Sequence, residues 1–114
     1  MTPEIVKLLA AMAMIESSSG AFRINEAEKA YGMYQCRAGA LHDVNRRYNT
    51  AYTLRDVLLD DEVATFVVLA YGLMHGARTP EQYARIWNGG PKGYRIPATL
   101  DYWERCRNLM EDMK

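Results

Sequence analysis

Glu16 is the residue whose type and setting most strongly suggest chemistry. It ends the run Met14-Ile15-Glu16 and is followed directly by Ser17-Ser18-Ser19-Gly20. Cleaving a glycosidic bond needs a carboxyl group that is still protonated near neutral pH and can give its proton to the departing oxygen. Partial burial makes such a group, because a low-dielectric surrounding disfavours the carboxylate. An acid beside an apolar stripe, next to small residues that leave room for a ligand, fits that need. The plain alternative is a solvated acid near a helix C-terminus. The helix dipole is unfavourable for an anion there, which disfavours a purely structural carboxylate and favours the protonated form.

A second carboxylate is required if the enzyme or a water molecule handles the oxocarbenium-like carbon. Glu26 and Glu28, in Asn25-Glu26-Ala27-Glu28-Lys29, are both candidates, and two exposed loop acids are the competing reading. Gly32-Met33-Tyr34-Gln35 offers a backbone that can approach a sugar, a stacking aromatic, and an amide that both donates and accepts. Trp87-Asn88-Gly89-Gly90-Pro91 offers a flat apolar platform and a fixed polar group ahead of a helix-breaking turn. A plain turn and a core tryptophan are the respective alternatives. His42 and His75 read as structural or surface residues, since no nucleophile elbow accompanies them. Cys36 and Cys106 read as buried reduced thiols, with a single bridge as the alternative. Two Cys and two His without paired ligand spacing give no metal site, and no motif calls for a cofactor.

Helices must position these groups. Thr2-Pro3-Glu4 is a helix start, and Ile5, Leu8, Leu9, Met12 and Ile15 follow as one buried stripe that delivers Glu16 to the edge of the core. Residues 21–35 read as a loop with short extended pieces, folding into a small hairpin. A helix is expected over Ala38–Arg47. Thr53-Leu54-Arg55-Asp56 opens a short helix with a capping box in which Asp replaces Glu. Asp60 or Asp61 caps a long helix with Val63, Phe66, Val67, Ala70, Leu73 and Met74 as its core face, ending at Gly76. Thr79-Pro80-Glu81 starts another, through Ile86. Thr99 is expected to cap the last helix, whose apolar face includes Tyr102, Trp103, Cys106 and Leu109.

The chain has 114 residues, enough for one domain with a real core, and residues 1–114 are read as that single domain. Fourteen basic and fourteen acidic side chains cancel, which argues against a nucleic-acid partner and leaves ligand binding to groove shape rather than electrostatic steering. No apolar run approaches a bilayer span. Pro3, Glu4 and Glu16 do not suit a secretory signal, so synthesis in a cytoplasm is expected.

Taken together, these residues resemble the lysozyme-like superfamily. The C-terminal half is most similar to the invertebrate-type (destabilase) branch and its phage and bacterial relatives, with their Tyr-Ala-Arg-Ile-His-Asn-Gly-Gly-Pro-x-Gly run and Thr-x-x-Tyr-Trp. Here the corresponding residues are Tyr83-Ala84-Arg85-Ile86-Trp87-Asn88-Gly89-Gly90-Pro91-Lys92-Gly93 and Thr99-Leu100-Asp101-Tyr102-Trp103. The Glu-Ser start matches Glu16-Ser17, and Gly-Pro-Tyr-Gln matches Gly32-Met33-Tyr34-Gln35. The lytic-transglycosylase pattern also fits, less closely at the C-terminal end. Trp87 departs from the branch's His, which preserves stacking but changes any hydrogen bond from that ring.

The resemblance implies a mainly α, α+β lysozyme-like fold: five to seven helices around one core, with at most a small β-hairpin beside the cleft. It implies a muramidase that cuts the β-1,4 bond between N-acetylmuramic acid and N-acetylglucosamine in peptidoglycan. Glu16 is then the general acid and Glu26, by its offset from Gln35, the second carboxylate. Ser17, Tyr34, Gln35, Trp87, Asn88 and Gly89 would bind the glycan. The expected partner is the peptidoglycan strand, met by a monomer on the bacterial wall after phage delivery in a virion or release through a holin. The alternatives are a lytic transglycosylase with Glu16 as sole acid/base, and a phage virion component that binds glycan without cutting it.

Overall fold

Capping chemistry sets where most helices begin in the computed structural model, which describes residues 1–113. The first helix, α1 (Pro3–Ser17), starts with the Thr2 hydroxyl accepting from the Ile5 amide and with Pro at its head. It ends at Ser18 in the left-handed conformation. A two-stranded antiparallel hairpin follows, β1 (Ile24–Asn25) and β2 (Ala30–Tyr31), in the register Ile24↔Tyr31 and Asn25↔Ala30. Cys36 pairs back onto Tyr31 and extends this ribbon.

Five more α-helices follow among the described residues: α2 (Ala38–Tyr48), α3 (Leu54–Leu59), α4 (Asp61–Met74), α5 (Pro80–Gly89) and α6 (Ala98–Glu111). A 3-10 turn, Gly93–Arg95, precedes α6. Thr53 and Asp56 form the reciprocal capping box expected of them, and the Asp60 carboxylate accepts from the Glu62 and Val63 amides at the head of α4. Six helices and one small hairpin match the expected mainly α architecture.

The core is one cluster. Leu8 and Met12 of α1 meet Val44 of α2, Val57 of α3, Val67 and Val68 of α4, Ile86 of α5 and Cys106 of α6, all essentially sealed from solvent. α5 packs against α1, α4 and α6, so the segment ending in Trp87-Asn88 runs through the middle of the molecule. No helix among the described residues is long and apolar enough to cross a membrane.

Three expectations need correction. Leu73, assigned to the core face of α4, is exposed; Tyr71 and Gly72 are buried instead, because α5 packs against that side with the Tyr83 ring lying on Gly72. α5 continues past Ile86 to Gly89 before Gly90 stops it. Thr99 does not cap α6, whose N-cap is Pro97 without a side-chain bond. It is buried in the first turn, where its hydroxyl accepts from Arg85 Nε (2.9 Å) and lies 2.6 Å from the Gly93 carbonyl. That satisfies the loop before the helix rather than the helix itself.

Candidate active site

Glu16 stands in the last turn of α1, one residue before the chain leaves the core, and opens onto a cleft of about 670 Å³. The apolar stripe of α1 carries it there, and the left-handed residues Ser18 and Ser19 turn the chain away immediately afterwards. Burial pushes its carboxyl from the ordinary 4.5 to about 7. Three groups pull the other way: the Tyr102 hydroxyl, which donates to Oε2 at 3.0 Å, and the positive charges of Arg37 and Arg105. Burial wins, so at neutral pH a large share of the molecules carry a protonated carboxyl in an open cleft.

Tyr102 is itself buried, and burial together with the nearby Glu16 charge holds its phenol well above its ordinary range. It therefore keeps its proton and can donate to the Glu16 carboxylate. Cys106, one turn later on α6, is pushed to about 12 by burial and then by the Glu16 charge. Both cysteines are free, buried thiols, and burial likewise holds Cys36 near 12.

The cleft brings together five of the eight residues singled out in the sequence: Glu16, Gln35, Trp87, Asn88 and Gly89. Gln35 sits at a left-handed position (φ 56°) after Gly32 and Met33-Tyr34 make a tight turn. Its side-chain amide donates to the Arg23 and Gly32 carbonyls at 3.2 and 3.0 Å, which fixes the group in place and leaves its oxygen free to accept. Trp87 packs edge-on against Tyr71 (5.8 Å between ring centres), and its indole N–H donates to the Tyr34 carbonyl at 2.9 Å. The bond pins the ring and consumes its one polar atom, so what it offers a ligand is an apolar surface. Asn88 follows it, exposed at the rim.

Ser17, Tyr34 and Glu26 stand apart from the cleft wall. Ser17 is buried, donating to the Met33 carbonyl (2.7 Å) and accepting from the Gly20 amide (2.9 Å), so it ties the end of α1 to the Gly32–Gln35 turn. Tyr34 points into the core, its hydroxyl 3.3 Å from that of Thr65. Gly32, expected to let a sugar approach, is buried instead: at φ 88° a Cβ there would lie 2.8 Å from the Val57 carbonyl oxygen. Glu26 is exposed in the hairpin turn and accepts from the Tyr31 hydroxyl at 3.2 Å.

Glu28, the other candidate, does line the cleft, held by Arg37 at 2.9 Å. Among the wall residues that went unremarked in the sequence are Asp43 of α2 and Tyr71 of α4. Asp43 is one turn into an amphipathic helix and Tyr71 lies in a run of apolar residues, so neither carries a local signal; only the packing of α2 against α4 exposes them to the cleft. Among the described residues no group of three or more His, Cys, Asp or Glu side chains is arranged to hold a metal ion.

No protein-family model matches the chain. Two curated proteins match it over short stretches. A lysozyme of Magallana gigas is 68% identical over 25 residues, 22% of this chain and 18% of the relative. A lysozyme of Ostrea edulis is 54% identical over 28 residues, 25% of this chain and 20% of the relative. The chain thus spans about a fifth of the length of the curated relatives it matches. These local matches support a likeness to invertebrate lysozymes.

Proposed function

We propose that this chain is a muramidase that cleaves β-1,4 bonds in the glycan strands of peptidoglycan, with Glu16 as general acid. The observation that carries the reading is Glu16 itself: a half-buried carboxyl raised to about 7, held by Tyr102, in a cleft that also contains Trp87 and Gln35. The cleft has room for sugar rings, an apolar indole face against which one can stack, and an anchored amide oxygen suited to an N-acetyl N–H. The two local matches to proteins named lysozyme point to the same chemistry.

Glu16 protonates the glycosidic oxygen as the C–O bond breaks. The carbon left behind is electron-poor and needs a carboxylate or a water molecule on its other face. Glu28 lines the cleft and Glu26 does not, so in this proposal the second-carboxylate role passes from Glu26 to Glu28. A second reading, a lytic transglycosylase, is favoured by one feature: a single carboxyl raised to about 7, as Glu16 is, can serve first as acid and then as base.

Mass spectrometry of fragments released from purified peptidoglycan tests both. Fragments with free reducing ends, lost with Glu16→Gln and strongly reduced with Glu28→Gln, are expected of a muramidase. Fragments one water lighter, still formed by Glu28→Gln, would make it a transglycosylase. Unchanged release by Glu16→Gln would sink both readings.

A further inference from the structure

A second hollow adjoins the cleft. It measures about 360 Å³ and is lined by Asp43, Arg46, Arg47, Met74 and His75. Asp43 belongs to both walls, so the two spaces are contiguous. The arginines lie in the last turn of α2, where positive charge complements the helix dipole. That role explains their sign but not the rest of the site. The ion pairs among the described residues join Arg23 to Asp61, Arg37 to Glu28 and Arg85 to Glu81, so both guanidinium groups here are free of a carboxylate, although Arg47 also lies over the Tyr48 ring. His75 also lines the hollow, and its Nε2 is buried with no hydrogen-bond partner among the described residues. The His75 ring rests against Tyr71, 4.8 Å between centres, and Tyr71 is part of the cleft wall.

Charge along the wall says what belongs there. Glu16, Glu28 and Asp43 put three acids in the cleft, and its cation, Arg37, is already paired. A glycan bearing carboxylate-tipped branches meets acids along most of that wall, and beyond Asp43 it meets two guanidinium groups that line the adjoining hollow unpaired. We infer that this hollow is a subsite for the carboxylate-bearing peptide branches of the glycan, with Arg46 and Arg47 on a carboxylate and Asp43 able to take a neighbouring ammonium. The inference rests on the proposed binding of a glycan strand in the cleft.

Calorimetric binding with the Glu16→Gln variant, which holds strands uncut, separates the possibilities. Three ligands are compared: peptidoglycan oligomers with their peptides, the same oligomers stripped of peptides so that their lactyl carboxylates are free, and chitin oligomers. The peptide-bearing strand is expected to bind about five- to tenfold more tightly than either other, the scale of two partly exposed charge pairs. Adding Arg46→Ala and Arg47→Ala should erase that preference and leave the other two affinities unchanged. Arg46→Lys with Arg47→Lys should keep most of it. Equal affinity for bare and peptide-bearing strands would overturn the inference, as would a preference that survives the double alanine variant. Tighter binding of the stripped strands would overturn it in favour of the lactyl carboxylate. Failure to bind any of the three would instead sink the glycan reading, and this subsite with it.

Discussion

Glu16 combines two effects that pull in opposite directions on stability and activity. Its carboxyl titrates near 4.5 when unfolded and at about 7 when folded, so folding favours the protonated form. The corresponding stability is fully present below about pH 4.5 and is lost as pH rises through 7, amounting to at most about 3 kcal/mol. Replacing Glu16 with Gln should therefore abolish cleavage yet leave Tm unchanged at pH 4 and raise it by at least about 4 °C at pH 8. Thermal scans at the two pH values check this, and a lower Tm at pH 8 would contradict it. Tyr102 acts on the same balance. Its hydrogen bond lowers the Glu16 pKa, so Tyr102→Phe should move the alkaline limb of the pH–rate profile upward. An alkaline limb that stays in place or moves down would show that the phenol does not tune the acid.

At the scale of elements, the Gly-rich run after α5 is a packing device as much as a cleft rim. Gly93 is buried, and a Cβ there would collide with the Arg85 backbone carbonyl, with no flexible side chain to yield. Gly93→Ala should cost about 2 kcal/mol or more, readable as a lower denaturation midpoint. Much of this level was legible in the sequence. Capping residues at Thr2, Thr53, Asp60 and Thr79 set helix starts because they act on amides within four residues. The same locality put Glu16 at the end of an apolar stripe. Features that depend on which helices meet were not legible. Nothing near Tyr34 says that its ring turns inward while its carbonyl receives Trp87. Glu26 and Glu28 are two residues apart in one turn, and their fates diverge only because Arg37 lies beside Glu28 and Tyr31 beside Glu26.

For the molecule as a whole, a few polar ties join distant parts of the chain around the cleft. Ser17 connects α1 to the turn that carries Gln35, Arg23 reaches Asp61 through two contacts of 2.6 and 3.1 Å, and Trp87 reaches Tyr34. They differ in strength. The Arg23–Asp61 pair is exposed enough for salt to screen it, so Asp61→Asn should cost no more than about 1 kcal/mol, and less at high ionic strength. Ser17→Ala leaves the Met33 carbonyl without its donor, while the Gly20 amide keeps the Ser17 backbone carbonyl at 3.2 Å, and should cost about 1–3 kcal/mol regardless of salt. Chemical denaturation of both variants at low and high salt separates the two. Trp87 carries a further consequence. The chain has two tryptophans, and Trp103 lies on α6, away from the cleft lining. A half-buried indole with a fixed N–H on the cleft wall is a built-in optical probe. Its emission should shift to the blue as a sugar displaces water from the cleft beside it, so occupancy can be followed in the unlabelled protein under ordinary illumination.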